Sequence, residues 1–262
     1  MTNADSSGSS ALRGACRLSR AFLAVLSSMF LVGTAPAEEP LLINVDGGNP
    51  PFMYEQGGRA EGIYPKIISA AFARIGQPVI IEAKPWRRGL SEIDEGKAGV
   101  GGIYRNEERD RKYDFSAALM RENVAVYFCS DRPLVFRGIH DLKGKKVGVL
   151  RGWSYGNEFD AARKGGFFSV DESPSDRANL LKLTAGRLDV VLSIEESGRA
   201  VIVAEALTGI ERSSVFLTSN YAYLAFSKTK SKKALLEKFN QAIAEMRQDG
   251  SFDRIVAKEL AR

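Results

Sequence analysis

The segment Gly152-Trp-Ser-Tyr-Gly156 has the spacing of a serine nucleophile. It follows an apolar run that predicts a strand and precedes a predicted helix, which is the context of a nucleophile elbow. Such a serine needs a general base, and hydrolases of this kind place a histidine after the serine in the chain. The single histidine, His140, precedes Ser154 and stands beside Asp141 in a polar stretch. We therefore expect a surface loop at His140 and no serine hydrolase.

The other patterns that could do chemistry are incomplete. Gly99-Val-Gly-Gly102 lacks the third glycine of a dinucleotide fingerprint, and Gly144-Lys-Lys146 lacks the hydroxyl residue of a phosphate loop. Two cysteines and one histidine argue against a zinc site with several cysteines, an iron–sulfur cluster and a disulfide framework. Glu195 and Glu196 are adjacent at the end of a predicted strand, where neighbouring side chains point to opposite sides. The sequence thus predicts no catalytic residues, cofactor or metal, and it favours a binding protein.

The elements that would position these residues alternate between strands and helices. Apolar runs predict strands at 41–45, 79–83, 100–104, 124–128, 147–150, 188–193 and 222–226. Apolar residues at helical spacing predict helices at 65–75, 89–96, 157–163, 178–185, 197–207, 234–247 and 252–260. This alternation predicts α/β layers with largely parallel sheets.

The first residues have the pattern of a secretory signal peptide. Three arginines precede a short apolar run at 21–32, and the small-residue site Ala35-Pro-Ala37 follows. We expect residues 1–37 to be cleaved after Ala37 and the product to be exported to the periplasm. The alternative is an N-terminal membrane anchor, for which the apolar run is shorter than the roughly 20 residues of a spanning helix.

Charge and cysteine content narrow the class of partner. The chain has 37 Lys and Arg against 32 Asp and Glu, a formal charge of +5, and the leader contributes part of this excess. So small a surplus does not indicate a nucleic-acid partner. After cleavage Cys129 is the remaining cysteine, which excludes a disulfide within the monomer and predicts a small buried hydrophobic residue.

An ordered series of short motifs runs along the chain. The motifs are Asn49-Pro-Pro-Phe52, Glu61-Gly-Ile63, Pro85-Trp86, Glu108-Arg109 with Asp114-Phe-Ser116, Asp141-Leu-Lys-Gly-Lys-Lys-Val-Gly-Val149 with Gly152, Gly186-Arg-Leu-Asp189, and Asp249-Gly-Ser-Phe-Asp-Arg-Ile255. In this order the chain resembles family 3 of the extracellular solute-binding proteins, which serve ABC importers of polar amino acids. The resemblance covers essentially all of 41–260.

The resemblance implies a two-lobed periplasmic-binding-protein-like fold of type II, a venus flytrap in which each lobe is a mixed, mostly parallel sheet flanked by helices. Lobe 1 would comprise 38–121 plus 222–262, and lobe 2 would comprise 122–221. The ligand would lie between the lobes, and hinge closure would present the loaded protein to a permease of the inner membrane. We expect a monomer that binds an amino acid or a related small carboxylate.

The resemblance places Arg109 at the position that grips the ligand carboxylate. A guanidinium meets a carboxylate with two parallel hydrogen bonds and keeps its charge when desolvated. The competing interpretation assigns Arg109 to the charged, solvated run at 105–112. Tyr104 and Arg105 correspond to the polar stretch that lines the pocket, and Arg105 is either a second anion clamp or a residue that faces water.

Other positions of the implied cleft have two interpretations each. Ser154, together with the backbone of the turn at 152–154, would hold the same carboxylate at a helix N-terminus. Trp153 would form a wall of the pocket or would cap a neighbouring core. Phe52 and Trp86 would lie at the edge of the cleft or pack inside the core.

Two departures from the family pattern affect the ligand. Asn49 replaces the aromatic residue that stacks on the ligand, and Ile194 replaces the aspartate that receives its ammonium group. Glu195 is one position away and would substitute if the loop were shifted. Because an unpaired buried charge is costly, an ordinary L-α-amino acid becomes less secure as the ligand. A carboxylate, or a modified amino acid whose cation lies elsewhere, is the alternative.

Two alternative functions remain open at this point. A ligand-sensing module would have the same two lobes and would signal to a membrane partner. A dehydratase acting on prephenate or arogenate is known on the same fold and is the enzymatic alternative.

Overall fold

The computed structural model describes residues 39–261, and the predicted signal peptide at 1–37 lies outside them. The strands are β1 Leu41–Asp46, β2 Gly48–Asn49, β3 Met53–Gln56, β4 Arg59–Glu61, β5 Val79–Lys84, β6 Gly99–Tyr104, β7 Tyr113–Phe115, β8 Met120–Cys129, β9 Lys146–Leu150, β10 Ser169–Ser173, β11 Val190–Ile194, β12 Ile210–Arg212 and β13 Thr218–Ser227. The helices are α1 Ile63–Arg74, α2 Trp86–Asp94, α3 Glu107–Lys112, α4 Asn157–Lys164, α5 Asp176–Thr184, α6 Glu195–Ala204, α7 Lys233–Gln248 and α8 Ser251–Leu260. Within this part of the chain, no helix is long and apolar enough to cross a membrane.

The main sheet has the strand order β10-β9-β11-β8-β13-β6-β1-β5, with β12 added to β8 and β7 added to β13. At one end β5, β1 and β6 are parallel, and we call them the first parallel group. At the other end β10, β9 and β11 are parallel and form the second parallel group. The long antiparallel strands β8 and β13 pair with each other and join the two groups. The predicted mixed α/β fold is confirmed.

The predicted lobe boundaries fall inside the two long strands. Thr218 pairs with Val124 and Ala222 pairs with Met120 in the β8–β13 ladder, so the boundaries at 121/122 and 221/222 lie side by side. The described residues belong to one compact unit. The division into lobes therefore stays a prediction, with β8 and β13 as its crossing strands.

The helices form where apolar residues recur at helical spacing and pack on the sheet. In α1 the buried face includes Ile67, Ile68, Ala71 and Phe72, and Phe72 packs on Phe239 of α7 at 5.0 Å between ring centroids. Cys129 is 6% exposed at the end of β8, which confirms the prediction of a buried hydrophobic residue.

Two local predictions need correction or extension. α6 begins at Glu195 rather than at residue 197, so Glu195 and Glu196 lie in the first turn of a helix and not at a strand end. The charged run at 105–112 contains the short helix α3, which the apolar pattern did not indicate. The polar side chain of Asn106 caps this helix by accepting the backbone N–H of Arg109 at 2.9 Å.

Candidate ligand cleft

Most of the candidate residues follow the carboxyl ends of the parallel strands. β1 ends at Asp46, β6 ends at Tyr104, and the turn after β9 carries Trp153 and Ser154. In open α/β sheets, ligands bind at the carboxyl ends of the strands. The topology thus gathers side chains from both parallel groups in one region.

The two parallel groups contact each other directly in this region. The indole Nε1 of Trp153 donates to Oδ2 of Asp46 at 2.6 Å. A Cβ on Gly48 would collide with the carbonyl oxygen of Pro174, so the turn after β1 needs glycine to approach the loop after β10. Arg87 also pairs with Glu172 of β10 at 2.6 Å. The structure therefore has the two groups closed against each other.

An aromatic cluster fills the space between the strand ends. The ring of Trp153 lies 6.0 Å from Trp86, 5.8 Å from Tyr104 and 6.3 Å from Tyr155, measured between centroids. All four side chains are buried. Such offset and edge contacts are the favourable geometries for aromatic pairs. The structure thus brings Trp86, Tyr104 and Trp153 together.

Arg109 lies beside this cluster and is only 8% exposed. Its Nη1 donates to the backbone carbonyl of Tyr104 at 2.8 Å. Burial lowers the pKa of Arg109 from its ordinary value, but a guanidinium remains charged in proteins. The acidic groups that act on it are Asp160, Glu108 and Asp94.

Ser154 is joined to α3 through a small polar network. The amide Nδ2 of Asn106 donates to Oγ of Ser154 at 3.1 Å and to Oδ2 of Asp160 at 3.3 Å. The hydroxyl of Ser154 in turn donates to Asp160. Asn106 also caps the turn that carries Arg109, so Arg109 and Ser154 are positioned by the same side chain.

Three carboxyl groups are buried near the aromatic cluster. Glu122 accepts the hydroxyls of Tyr64 and Tyr104, and its burial raises its pKa well above the ordinary value. Burial raises the pKa of Asp46 to about 6, and the hydrogen bond from Trp153 offsets part of this effect. Burial raises the pKa of Asp176 to about 7. Carboxylates without a cationic partner carry a desolvation cost in such surroundings.

Three predicted residues lie apart from this arrangement. Arg105 pairs with Asp110 at 2.9 Å, and its guanidinium lies over the ring of Phe115 at 5.0 Å. Phe52 is 1% exposed and stacks on Tyr64 at 5.8 Å inside the core.

Glu195 is the third predicted residue that lies apart from the aromatic cluster. Its carboxylate pairs with Arg212 at 3.3 Å, and its carbonyl accepts the hydroxyl of Tyr127 at 3.0 Å. Ile194 is buried at the end of β11. Asn49 accepts the hydroxyl of Ser197 at 2.6 Å through Oδ1, while its Nδ2 is buried without a hydrogen-bond partner.

Two cavities among the described residues lie in this part of the fold, and of these two only the smaller one touches the aromatic cluster, through Tyr155. One of about 970 Å³ lies between the turn at Pro50-Pro51 and helix α6, where Glu196 and Arg199 line it. A smaller one of about 280 Å³ is lined by Arg105, Tyr155 and the start of α4. The space around Trp153 itself is filled by side chains.

The sequence motifs did not include three residues of this region, Asp46, Asn106 and Asp176. Asp46 had a usable signal, since it ends an apolar strand immediately before a Gly-Gly-Asn-Pro-Pro turn. Asn106 stands three residues before Arg109, which is the spacing of a capping residue. Asp176 had no comparable signal, because its place depends on which strands are neighbours.

The fold is that of a solute-binding protein. The chain matches the family model of the bacterial extracellular solute-binding proteins, family 3, over residues 41–261, and it belongs to that family. The resemblance of its motifs is thereby confirmed, and this family consists of binding proteins.

Individual relatives agree with this assignment. The L-cystine-binding protein TcyJ of Escherichia coli strain K12 is 24% identical over 221 residues, which cover 83% of this chain and 81% of that protein. The crystal structure of a histidine kinase sensor domain with similarity to periplasmic binding proteins has a TM-score of 0.76 and 24% identity, covering 86% of this chain and 98% of that one. An ancestral arginine-binding protein bound to arginine has a TM-score of 0.73 and 25% identity, covering 85% and 98%.

Proposed function

We propose that this protein is exported to the periplasm, captures an amino acid or a related small carboxylate, and delivers it to an ABC permease of the inner membrane. Arg109 is the carboxylate anchor in this proposal. The observation that carries this proposal is the burial of Arg109, which is the basic residue that is buried among the described residues. One of its N–H groups is used by the carbonyl of Tyr104, and a guanidinium has five in a fixed fork.

The surroundings of Arg109 support an anion-binding role. Ser154 supplies a hydroxyl, and the N-terminus of α4 follows it in the chain. Asn106 holds Ser154 near the turn of Arg109. Charge-assisted bonds to a carboxylate are about twice as strong as neutral ones. A carboxylate that reaches Arg109 would displace the contacts of Ser154 within the protein.

The ligand would enter through an opened form of the protein. Trp153 and Asp46 now join the two parallel groups, and the aromatic cluster occupies the space between them. The crossing strands β8 and β13 would act as the hinge, and the lobes would be those predicted from the sequence. Binding by hinge closure around a ligand is an established mode of conformational change.

The test is calorimetric titration of amino acids, opines, dicarboxylates and polyamines into the protein purified after expression of the full chain. The protein is first unfolded and refolded to remove any bound ligand. The proposal expects one class of carboxylate to bind the wild type. A panel in which no carboxylate binds would overturn the proposal.

A second candidate is a sensory role. The similarity to a histidine kinase sensor domain favours it, since that structure has the same fold. Ligand capture would then be read by a membrane partner rather than a permease. Deleting the gene and measuring uptake of the identified ligand separates the two, because loss of uptake supports transport and unchanged uptake supports sensing. Incubation with prephenate or arogenate tests the dehydratase alternative by product formation.

A further inference from the structure

Asp160 places a carboxylate of the protein itself beside the candidate anchor for the ligand. It lies in the first turn of α4 and is half-buried. Its Oδ2 accepts the hydroxyl of Ser154 and the amide Nδ2 of Asn106 at 3.3 Å. Hydrogen bonds to an ionised carboxylate are about twice as strong as neutral ones. These two donors therefore hold the carboxylate of Asp160 next to the turn that Asn106 caps.

The charge of Asp160 also acts on Arg109. Burial lowers the pKa of Arg109, and among carboxylates Asp160 opposes this effect most, ahead of Glu108 and Asp94. Asp160 ranks first although Glu108 is the neighbour of Arg109 in the chain. Without a ligand, Asp160 is thus the carboxylate that compensates the buried guanidinium most.

The contacts of Asp160 cross between the predicted lobes. Asn106 belongs to predicted lobe 1 and Asp160 to predicted lobe 2, so their bond joins the two. A second bond at the same place runs from the backbone N–H of Glu107 to Oδ1 of Asn157 at 3.2 Å. At this point the closed arrangement is held by side chains at the start of α4.

The hydroxyl of Ser154 can serve one carboxylate at a time. Ser154 is 7% exposed, and its Oγ accepts the amide of Asn106 at 3.1 Å and the backbone N–H of Gly156 at 3.3 Å. A serine hydroxyl has one proton to donate, and Asp160 receives it. The proposed function gives the same hydroxyl to the ligand, so a ligand carboxylate can accept it only after Asp160 has released it.

We infer that Asp160 is an internal competitor of the ligand, whose carboxylate has to displace that of Asp160 from the hydroxyl of Ser154. This inference rests on the proposed function and adds to it a residue that limits the affinity. Apparent affinity falls in proportion to the fraction of ligand-free protein that is competent to bind. If Asp160 holds the hydroxyl in roughly nine-tenths of the ligand-free molecules, the affinity is reduced about tenfold.

Two other roles for Asp160 predict a change of the opposite sign. If Asp160 only positions Ser154, removing its charge disturbs the anchor and weakens binding. If Asp160 receives a cationic group of the ligand, removing its charge also weakens binding, because a charge pair loses one partner. A competitor alone predicts tighter binding, so the sign of the change distinguishes the three roles.

The experiment is calorimetric titration of the carboxylate panel into the wild type, Asp160→Asn and the control Asp253→Asn. Acetate is added to the panel as a small carboxylate without a cationic nitrogen. The control makes the same chemical change at an exposed position in the first turn of α8. Asp160→Asn should bind about tenfold more tightly than the wild type, and the control should bind as the wild type does.

A second variant and a measure of folding accompany the titration. Asp160→Ala removes the carboxylate completely and should change the affinity in the same direction as Asp160→Asn. Far-ultraviolet circular dichroism shows whether each variant has the helix content of the wild type. Weaker binding in both variants, with helix content unchanged, would make Asp160 a positioning or cation-binding residue and overturn the inference.

Combining these variants with Ser154→Ala tests whether the contested group is the hydroxyl. In a protein that already lacks this hydroxyl, Asp160→Asn should change the affinity much less than it does in the wild type, because residues that contact each other do not act additively. A tenfold gain that persists without the hydroxyl would mean that the lost charge acts through the general field of the protein. That result would overturn the inference.

The outcomes separate this inference from the proposed function. Carboxylate binding to the wild type, with unchanged or weaker binding in Asp160→Asn, overturns the inference and leaves solute binding intact. If no carboxylate, acetate included, binds either the wild type or Asp160→Asn, both are overturned.

Discussion

Trp153 and Asp46 form a buried hydrogen bond of 2.6 Å between indole Nε1 and carboxylate Oδ2. The two residues belong to different parallel groups of the sheet and are far apart in sequence. The bond lies at the carboxyl ends of the parallel strands, and it satisfies Asp46 with a side chain of the protein itself. The strength of this contact therefore depends on whether Asp46 is ionised.

Replacing Trp153 with phenylalanine should destabilise the protein more at pH 8 than at pH 5. The substitution removes the donor and leaves a buried carboxylate, which costs about 1–3 kcal/mol when that carboxylate is ionised. At pH 5 Asp46 is mostly protonated, because burial raises its pKa to about 6. Urea unfolding at the two pH values measures the difference.

Trp86→Phe is the matched control for this prediction. The Nε1 of Trp86 is buried without a hydrogen-bond partner, so its loss removes no bond and should show no such pH dependence. An equal loss of stability in both variants, at both pH values, would mean that ring packing and not the bond to Asp46 is responsible.

The stability of the ligand-free protein should fall as the pH rises from 5 to 8. The pKa values of Asp46 and Asp176 are raised to about 6 and about 7 in the folded state. The folded state therefore binds more protons than the unfolded state in this window, and stability decreases with pH. Together the two groups predict a decrease on the order of 2–4 kcal/mol.

Urea unfolding of the wild type and of the double variant Asp46→Asn/Asp176→Asn checks this dependence. The double variant should lose stability less steeply than the wild type between pH 5 and pH 8, and the decrease that remains comes from Glu122, whose pKa burial raises well above its ordinary value. Groups whose pKa is lowered, such as Glu92 beside Lys84, take up a proton only below the ordinary pKa of 4.5. They stay ionised between pH 5 and pH 8 and do not change the slope of stability with pH. A wild-type profile that rises across the window would contradict the account.

Arg105→Ala should leave ligand affinity within about threefold of the wild type. The guanidinium of Arg105 is half exposed and pairs with Asp110, and such surface pairs contribute about 0–1 kcal/mol. Calorimetric titration measures the affinity. A loss comparable to that of a buried anchor would restore the interpretation of Arg105 as a second anion clamp.

The sequence predicted most of the elements because their apolar runs and helical spacing are strong. The strands 100–104 and 147–150 correspond closely to β6 and β9. Strand β10 was missed because it is polar, with an incompletely buried pattern at the edge of the sheet. Helix α3 was missed because its stability depends on the Asn106 cap rather than on an apolar face.

The cleft was predictable only in part. Motif order placed Arg109, Trp86 and Trp153 in one region. The structure packs Trp86 against Trp153 and bonds Arg109 to the carbonyl of Tyr104. Motif order could not show that Tyr104 donates its hydroxyl to Glu122 or that Asp176 approaches Asp46. Both depend on long-range strand pairing, which local residue types do not specify.

The affinity of the Arg109→Ala variant tests the central claim most directly. Calorimetric titration of a carboxylate ligand into the wild type, Arg109→Ala and Arg111→Ala compares a buried arginine with an exposed one on the same helix. The account predicts a loss on the order of 100-fold or more in Arg109→Ala, since one partner of a desolvated charge pair is removed, and wild-type affinity in Arg111→Ala. Wild-type affinity in Arg109→Ala would contradict the assignment of this residue as the carboxylate anchor.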